Sequence, residues 1–135
     1  MPTKTYRGSC HCGNVRFEAD LDLSQGTGKC NCSFCWKVRS WGVIARPDAL
    51  RVLEGDDRRT EYTFGSGAGR HGFCARCGVR TYSRGHLEQL GGDYVSIALA
   101  SLDDLEPAEL VAAPVKYMDG RADNWWNAPT ETRHL

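Results

Sequence analysis

Cys30-Asn31-Cys32-Ser33-Phe34-Cys35 places three thiols within six residues. This spacing restricts the chain more than anything else in it. A CxCxxC turn can curl three sulfurs around one ion, and thiolates are good ligands for zinc, with Zn–S of about 2.3 Å. Three ligands are one short of a closed tetrahedron. The chain offers four more cysteines, Cys10, Cys12, Cys74 and Cys77, enough for a complete set by themselves. The expectation is two Zn2+ per chain, one in a closed four-sulfur site and one in an open three-sulfur site. Structural zinc is closed, whereas catalytic zinc keeps a position for water or substrate.

Seven cysteines in 135 residues is a high, odd count, and none of them is isolated. The first residues lack the apolar core of a signal peptide. The expected compartment is therefore cytoplasmic, where thiols stay reduced and CxC…CxCxxC…CxxC reads as metal binding. No run approaches the roughly 18 apolar residues of a membrane span. Lys plus Arg equals Asp plus Glu at 17 each. That balance argues against a nucleic-acid binder working through bulk basic charge.

The remaining chain reads as short β segments. Residues 15–21, 59–64 and 79–83 show strand alternation, 41–46 and 94–99 read as buried strands, and 50–53 as another short strand. Residues 24–28 and 65–69 read as turns from their glycines. Residues 103–107 read as a turn or one helical turn, and another turn of helix could carry Cys35 and Trp36. With no long helix or linker, the expectation is one domain, residues 1–135, mostly β and built from small antiparallel sheets.

How the cysteines divide is less determined. Pairing Cys10 and Cys12 with Cys74 and Cys77 would clip the first strand to a late hairpin, and such a clip could supply several kcal/mol of folding free energy. A rival partition gives Cys30, Cys32 and Cys35 a histidine, with His11, His71 and His86 as candidates and His134 next to last. Gly13 and Gly78 each follow a cysteine pair and would permit the turns that bring backbone N–H groups to the sulfurs.

An open three-thiolate site has a specific chemistry. Zn2+ with three thiolates carries a formal charge of −1 and can still take up a thiol, which coordination deprotonates. That sulfur could add to an aldehyde, or the reverse reaction could cleave a C–S bond. Three thiolates make a weaker Lewis acid than three histidines, which favours thiol chemistry over hydrolysis. Arg39, Arg46, Arg70 and Arg80 are candidate carboxylate holders, although solvated strand faces would look the same. Trp36, Trp41, Trp125 and Trp126 could wall the site or serve as core. Ser33 could donate to a sulfur or only shape its turn, and His71 is a candidate for proton transfer. A metal-free cysteine–histidine pair would need fewer thiols than are present.

Three stretches, Cys10-His11-Cys12-Gly13-Asn14-Val15-Arg16-Phe17, Cys30-Asn31-Cys32-Ser33-Phe34-Cys35 and Gly72-Phe73-Cys74-Ala75-Arg76-Cys77-Gly78, resemble the glutathione-dependent formaldehyde-activating enzyme family. That family includes the centromere protein V type of domain. Ala100-Ser101-Leu102-Asp103-Asp104 and Trp125-Trp126 extend the likeness. The resemblance implies an Mss4-like fold, a structural zinc on Cys10, Cys12, Cys74 and Cys77, and a catalytic zinc on Cys30, Cys32 and Cys35. It also implies a carbon–sulfur lyase that joins glutathione, a small-molecule thiol partner, to formaldehyde as S-hydroxymethylglutathione. The alternative is a non-catalytic zinc scaffold that binds a protein partner. A nucleic-acid or cytoskeletal binder fits the neutral charge least well.

Overall fold

The computed structural model describes residues 3–135. Ten strands and two short helices run in the order β1 (Lys4–Ser9), β2 (Arg16–Leu21), β3 (Thr27–Cys30), α1 (Ser33–Val38), β4 (Gly42–Ala45), β5 (Leu50–Glu54), β6 (Arg59–Tyr62), β7 (Gly69–Cys74), β8 (Tyr82–Leu87), β9 (Gly92–Ala98), α2 (Pro107–Ala112) and β10 (Val115–Met118). A three-stranded sheet has the order β1-β2-β5, and a seven-stranded sheet has the order β10-β3-β4-β9-β8-β7-β6. The protein is mostly β. No helix among the described residues is long and apolar enough to cross a membrane.

The alternation in β2 buries Phe17, Ala19 and Leu21 on one face and leaves Arg16, Glu18 and Asp20 on the other. Tyr82, Val95 and Ile97 come to meet them from β8 and β9, so the core lies between the two sheets. Its centre is the Phe17–Tyr82 pair, packed edge to face at 5.5 Å between ring centroids. The Tyr82 hydroxyl donates to Asp56 at 2.6 Å. The Arg59 guanidinium lies 3.9 Å from the Tyr82 ring centroid and donates to the Tyr82 carbonyl at 2.6 Å. Its side chain is only 2% exposed, and the Asp56 and Glu61 carboxylates each lie 3.7 Å from Nη1, so the buried cation is accommodated by a π face, a carbonyl and two carboxylates rather than by bulk water.

The pairing is antiparallel with one exception. β10 runs parallel to β3, with Met118 beside Cys30, where only antiparallel sheets were expected. A parallel pair needs a long crossover; here residues 31–114 intervene, and α2 leads into β10. That helix begins with Pro107, and Glu109 accepts from the Glu106 backbone N–H at 2.9 Å. The first turn is thereby closed in a form that sequence alternation does not reveal.

Three further expectations are adjusted. β4 is not a buried strand: Ile44 is 51% exposed, because only one face of this part of the sheet is covered. The strand expected over 79–83 begins at Tyr82, since Val79 still belongs to the cysteine turn and accepts from Cys74 N at 3.0 Å. The glycine-marked turn over 24–28 is shorter than expected, because Thr27 and Gly28 already lie in β3.

Gly8 pairs with Phe17 across β1 and β2, and a Cβ there would stand within the Phe17 ring. Gly8→Ala is therefore expected to lower stability by about 1–3 kcal/mol, as overpacking does. Urea unfolding followed by circular dichroism measures this; an unchanged midpoint would show that the ring shifts without cost.

Candidate metal centres and the adjoining cavity

The turn after β1 and the turn after β7 bring Cys10, Cys12, Cys74 and Cys77 together. All four sulfurs lie within 4.8 Å of one another. Cys10 to Cys12 is 3.7 Å and Cys12 to Cys74 is 3.6 Å between sulfurs. A tetrahedron with 2.3 Å Zn–S bonds requires roughly 3.8 Å between sulfurs, so this set fits a tetrahedral ion. Backbone N–H groups face the sulfurs: Val15 N is 3.3 Å from Cys10 Sγ, and Arg76 N is 3.4 Å from Cys74 Sγ. Gly13 and Gly78 take φ of 82° and 77°, which allows both turns to close. The Val79 and Cys12 backbone N–H groups draw the Cys77 thiol down to about 6, and the Cys77 N–H, followed by that of Arg76, lowers Cys74. Burial raises Cys10.

The second set lies at the end of β3 and the start of α1. The Cys30, Cys32 and Cys35 sulfurs also lie within 4.8 Å of one another, and among the described residues no histidine or carboxylate joins them. Cys32 caps α1, its sulfur accepting from Cys35 N at 3.3 Å, while Cys32 N approaches Cys30 Sγ at 3.4 Å. The Cys30 and Cys35 thiols, then backbone N–H groups, hold Cys32 far below the ordinary thiol range. The same exchange, with burial, pushes Cys35 far up and raises Cys30.

Asn31 fixes this loop. It donates to Asp119 at 2.9 Å, accepts from Arg121 N at 2.9 Å, and its carbonyl accepts from Arg121 Nε at 3.2 Å. The parallel β10–β3 pair delivers residues 119–121 to this point. Gly120 is necessarily small: a Cβ there would lie 2.6 Å from both Cys30 Sγ and the Trp125 ring.

A cavity of about 220 Å³ opens beside the trio, and Cys30, Cys35, Lys29, Arg39, Trp36 and Trp41 are among its walls. Beyond Phe34 lies an aromatic cluster in which Phe34 and His71 are 4.0 Å apart, with Phe64 and Tyr62 stacked around them. Burial and the Arg80 charge lower the His71 pKa. The Arg80 guanidinium lies 5.0 Å from the Phe34 ring centroid, and its Nε is buried with no hydrogen-bond partner. Burial lowers the Arg80 pKa, and the negative charge of Cys35 partly offsets this.

The family model described as "Glutathione-dependent formaldehyde-activating enzyme" matches residues 5–118. The chain belongs to that family. The chain is also similar to a Rhodobacter sphaeroides protein of known crystal structure, which is 32% identical. The match covers 82% of this chain and 99% of that one, with a TM-score of 0.68.

The other residues singled out in the sequence are dispersed. His86 pairs with Asp93 at 2.7 Å and Glu88 at 3.0 Å in the β8–β9 hairpin. His11 is exposed, and Trp126 is 76% exposed. Arg46 approaches Gly91, and Arg70 pairs with Arg84 in the β7–β8 ladder. Lys29, Asn31 and Gly120 were not anticipated. Asn31 stood inside the cysteine motif, but its partners are some 90 residues away.

The two sets differ in how many sulfurs they offer, four against three. Protons compete with an ion for thiolates, so metal affinity at both falls as pH falls, and the three-sulfur set has one bond fewer to hold its ion. Acidification or a chelator is expected to release one ion per chain first with the fold intact, and the second with unfolding. Metal analysis alongside circular dichroism checks this; release of both with simultaneous unfolding would contradict it.

Proposed function

We propose that the protein is a zinc-dependent carbon–sulfur lyase-type enzyme acting on thiol–aldehyde adducts, joining glutathione and formaldehyde as S-hydroxymethylglutathione. The observation that carries this reading is the trio without a fourth ligand atom, opening on a cavity with basic walls. Membership of the family supports the same chemistry. In this reading Cys10, Cys12, Cys74 and Cys77 hold a structural Zn2+ and Cys30, Cys32 and Cys35 hold a catalytic one, with residues 1–135 acting as one domain.

Bound zinc would supply a positive charge that favours the thiolate form of the incoming thiol at neutral pH. The reaction balances without an oxidant: a bond forms between the thiol sulfur and the formaldehyde carbon, the C=O π bond is lost, and the thiol proton ends on the oxygen. The chain's own part is positioning. Cys30, Cys32 and Cys35 fix the reacting centre, with backbone N–H groups spreading charge from their sulfurs. Arg80, with its guanidinium over the Phe34 ring and its Nε without a partner, would hold one of glutathione's two carboxylates, for which its fork is well shaped. Trp36 and Trp41 wall the cavity and restrict water.

A cobalt-substituted sample tests the reading. Glutathione is expected to change its visible spectrum, and isotope-exchange NMR is expected to show faster adduct formation than in buffer. Cys32→Ser should abolish both while leaving the fold; Cys74→Ser should lose the fold. An unchanged spectrum and rate would leave a zinc scaffold that binds a partner. Equal unfolding in the two variants would make both ions structural.

Arg80→Gln gives a separate measure. Loss of one charge-assisted hydrogen bond, about 1.5–3 kcal/mol, should weaken glutathione binding by about tenfold or more. Titration of the cobalt spectrum reads the change, and Arg80→Lys should recover part of it. Equal affinity in all three proteins would remove Arg80 from the site.

A further inference from the structure

The cavity beside Cys30 and Cys35 is partly taken by the chain itself. Arg39 Nη1 donates to the His134 carbonyl at 2.7 Å, and Lys29 Nζ donates to the Leu135 carbonyl at 3.2 Å. The His134 ring meets Trp36 edge-on at 5.0 Å between centroids, and Leu135 lines the cavity. The two cations are held by ring faces, Lys29 at 4.3 Å from the Trp41 centroid and Arg39 at 5.2 Å from that of Trp36. Arg39 ends α1 in a left-handed conformation, φ 55°, which a side chain seldom adopts without surrounding support. Among the described residues neither cation forms a salt bridge: every ion pair lies elsewhere.

Arg39 is held over an aromatic face with only the His134 peptide carbonyl for a partner, and Lys29 with only a main-chain oxygen of Leu135. A peptide carbonyl oxygen carries a partial charge. A carboxylate makes charge-assisted hydrogen bonds about twice as strong. The donors now serving two successive main-chain oxygens could serve the two oxygens of one thiol-borne carboxylate, next to the sulfurs where a thiol would react. We propose that Lys29 and Arg39 form a carboxylate subsite on the cavity side of the three-cysteine centre, separate from Arg80, and that residues 134 and 135 occupy it until a carboxylate-bearing thiol displaces them. The proposal rests on the thiol chemistry proposed above and extends it. It names the cations that select an anionic thiol and adds a competitor carried in the same chain. Thiol binding and release of residues 134 and 135 are then reciprocally linked, so loosening one favours the other.

The test uses the full chain with cobalt in the metal sites. Mercaptoacetate carries a carboxylate and mercaptoethanol does not. Mercaptoacetate should bind more tightly than mercaptoethanol to the unaltered protein, and Lys29→Gln with Arg39→Gln should shrink the difference severalfold while Arg80 is intact. His134→Ala with Leu135→Ala keeps both cations and removes the ring contact with Trp36. It should tighten mercaptoacetate binding by about threefold to tenfold, the range expected for loss of one aromatic edge contact. A second readout needs no thiol binding: alkylation of Cys30 and Cys35 by iodoacetate, relative to iodoacetamide, mapped by mass spectrometry. The ratio should rise in the His134/Leu135 variant and fall in the Lys29/Arg39 variant. If the paired variant unfolds, Leu135→Ala alone should raise the ratio. Thiol binding with no preference for mercaptoacetate, or a ratio insensitive to residues 134 and 135, overturns the subsite but leaves the proposed reaction. A spectrum unmoved by any thiol, together with the expected shifts in alkylation ratio, overturns the reaction but leaves the subsite.

Discussion

Four sulfurs drawn within 4.8 Å of one another are the constraint on which the arrangement depends. Cys10 and Cys12 follow the first strand, and Cys74 and Cys77 follow the seventh. Bringing them together joins the edge of the small sheet to the large one. Unpaired, so many thiols would add little to a core, and ionised they would repel. A cation at their centre would reverse that sign, and would let a chain of modest size hold two sheets face to face around the Phe17–Tyr82 contact.

The second sulfur set is governed by different means. Its cysteines come from one six-residue motif, so their closeness is local. Their surroundings are not. Asn31 reaches Asp119 and Arg121, Gly120 yields space to Cys30, and Arg80 arrives from the turn before β8. One site is assembled from distant ligands, and the other has local ligands within distant walls. This contrast gives a physical reason for treating the first as a clip and the second as a place where chemistry can vary.

Much of this was legible in the sequence. Clustered cysteines, two positive-φ glycines and short alternating runs marked the ligand groups, their turns and a β-rich fold. The alternation of β2 placed Phe17, Ala19 and Leu21 inside correctly, because period two is decisive when one face alone is covered. Ile44 was misplaced for the complementary reason: an apolar run cannot say whether its second face has a cover. The parallel β10 was hidden, since four residues carry no sign of their partner's direction. Arg39 was one of four arginines that could hold a carboxylate or simply face solvent, Lys29 carried no signal of its own, and only their approach to residues 134 and 135 sets them apart.

The pairing of β10 with β3 also bears on the order in which a growing chain acquires its parts. Synthesis proceeds from the N-terminus, and early segments can fold before later ones exist. Once Cys77 has emerged, every ligand of the four-sulfur set is present. The trio is complete sooner, at Cys35, yet its enclosure waits for Asp119 through Arg121 to lie against Asn31. During that interval three closely spaced thiols stand without their later neighbours, open to whatever soft ion or oxidant they meet. Nascent chains would thus be most open to mismetallation at the same centre to which the proposed chemistry belongs.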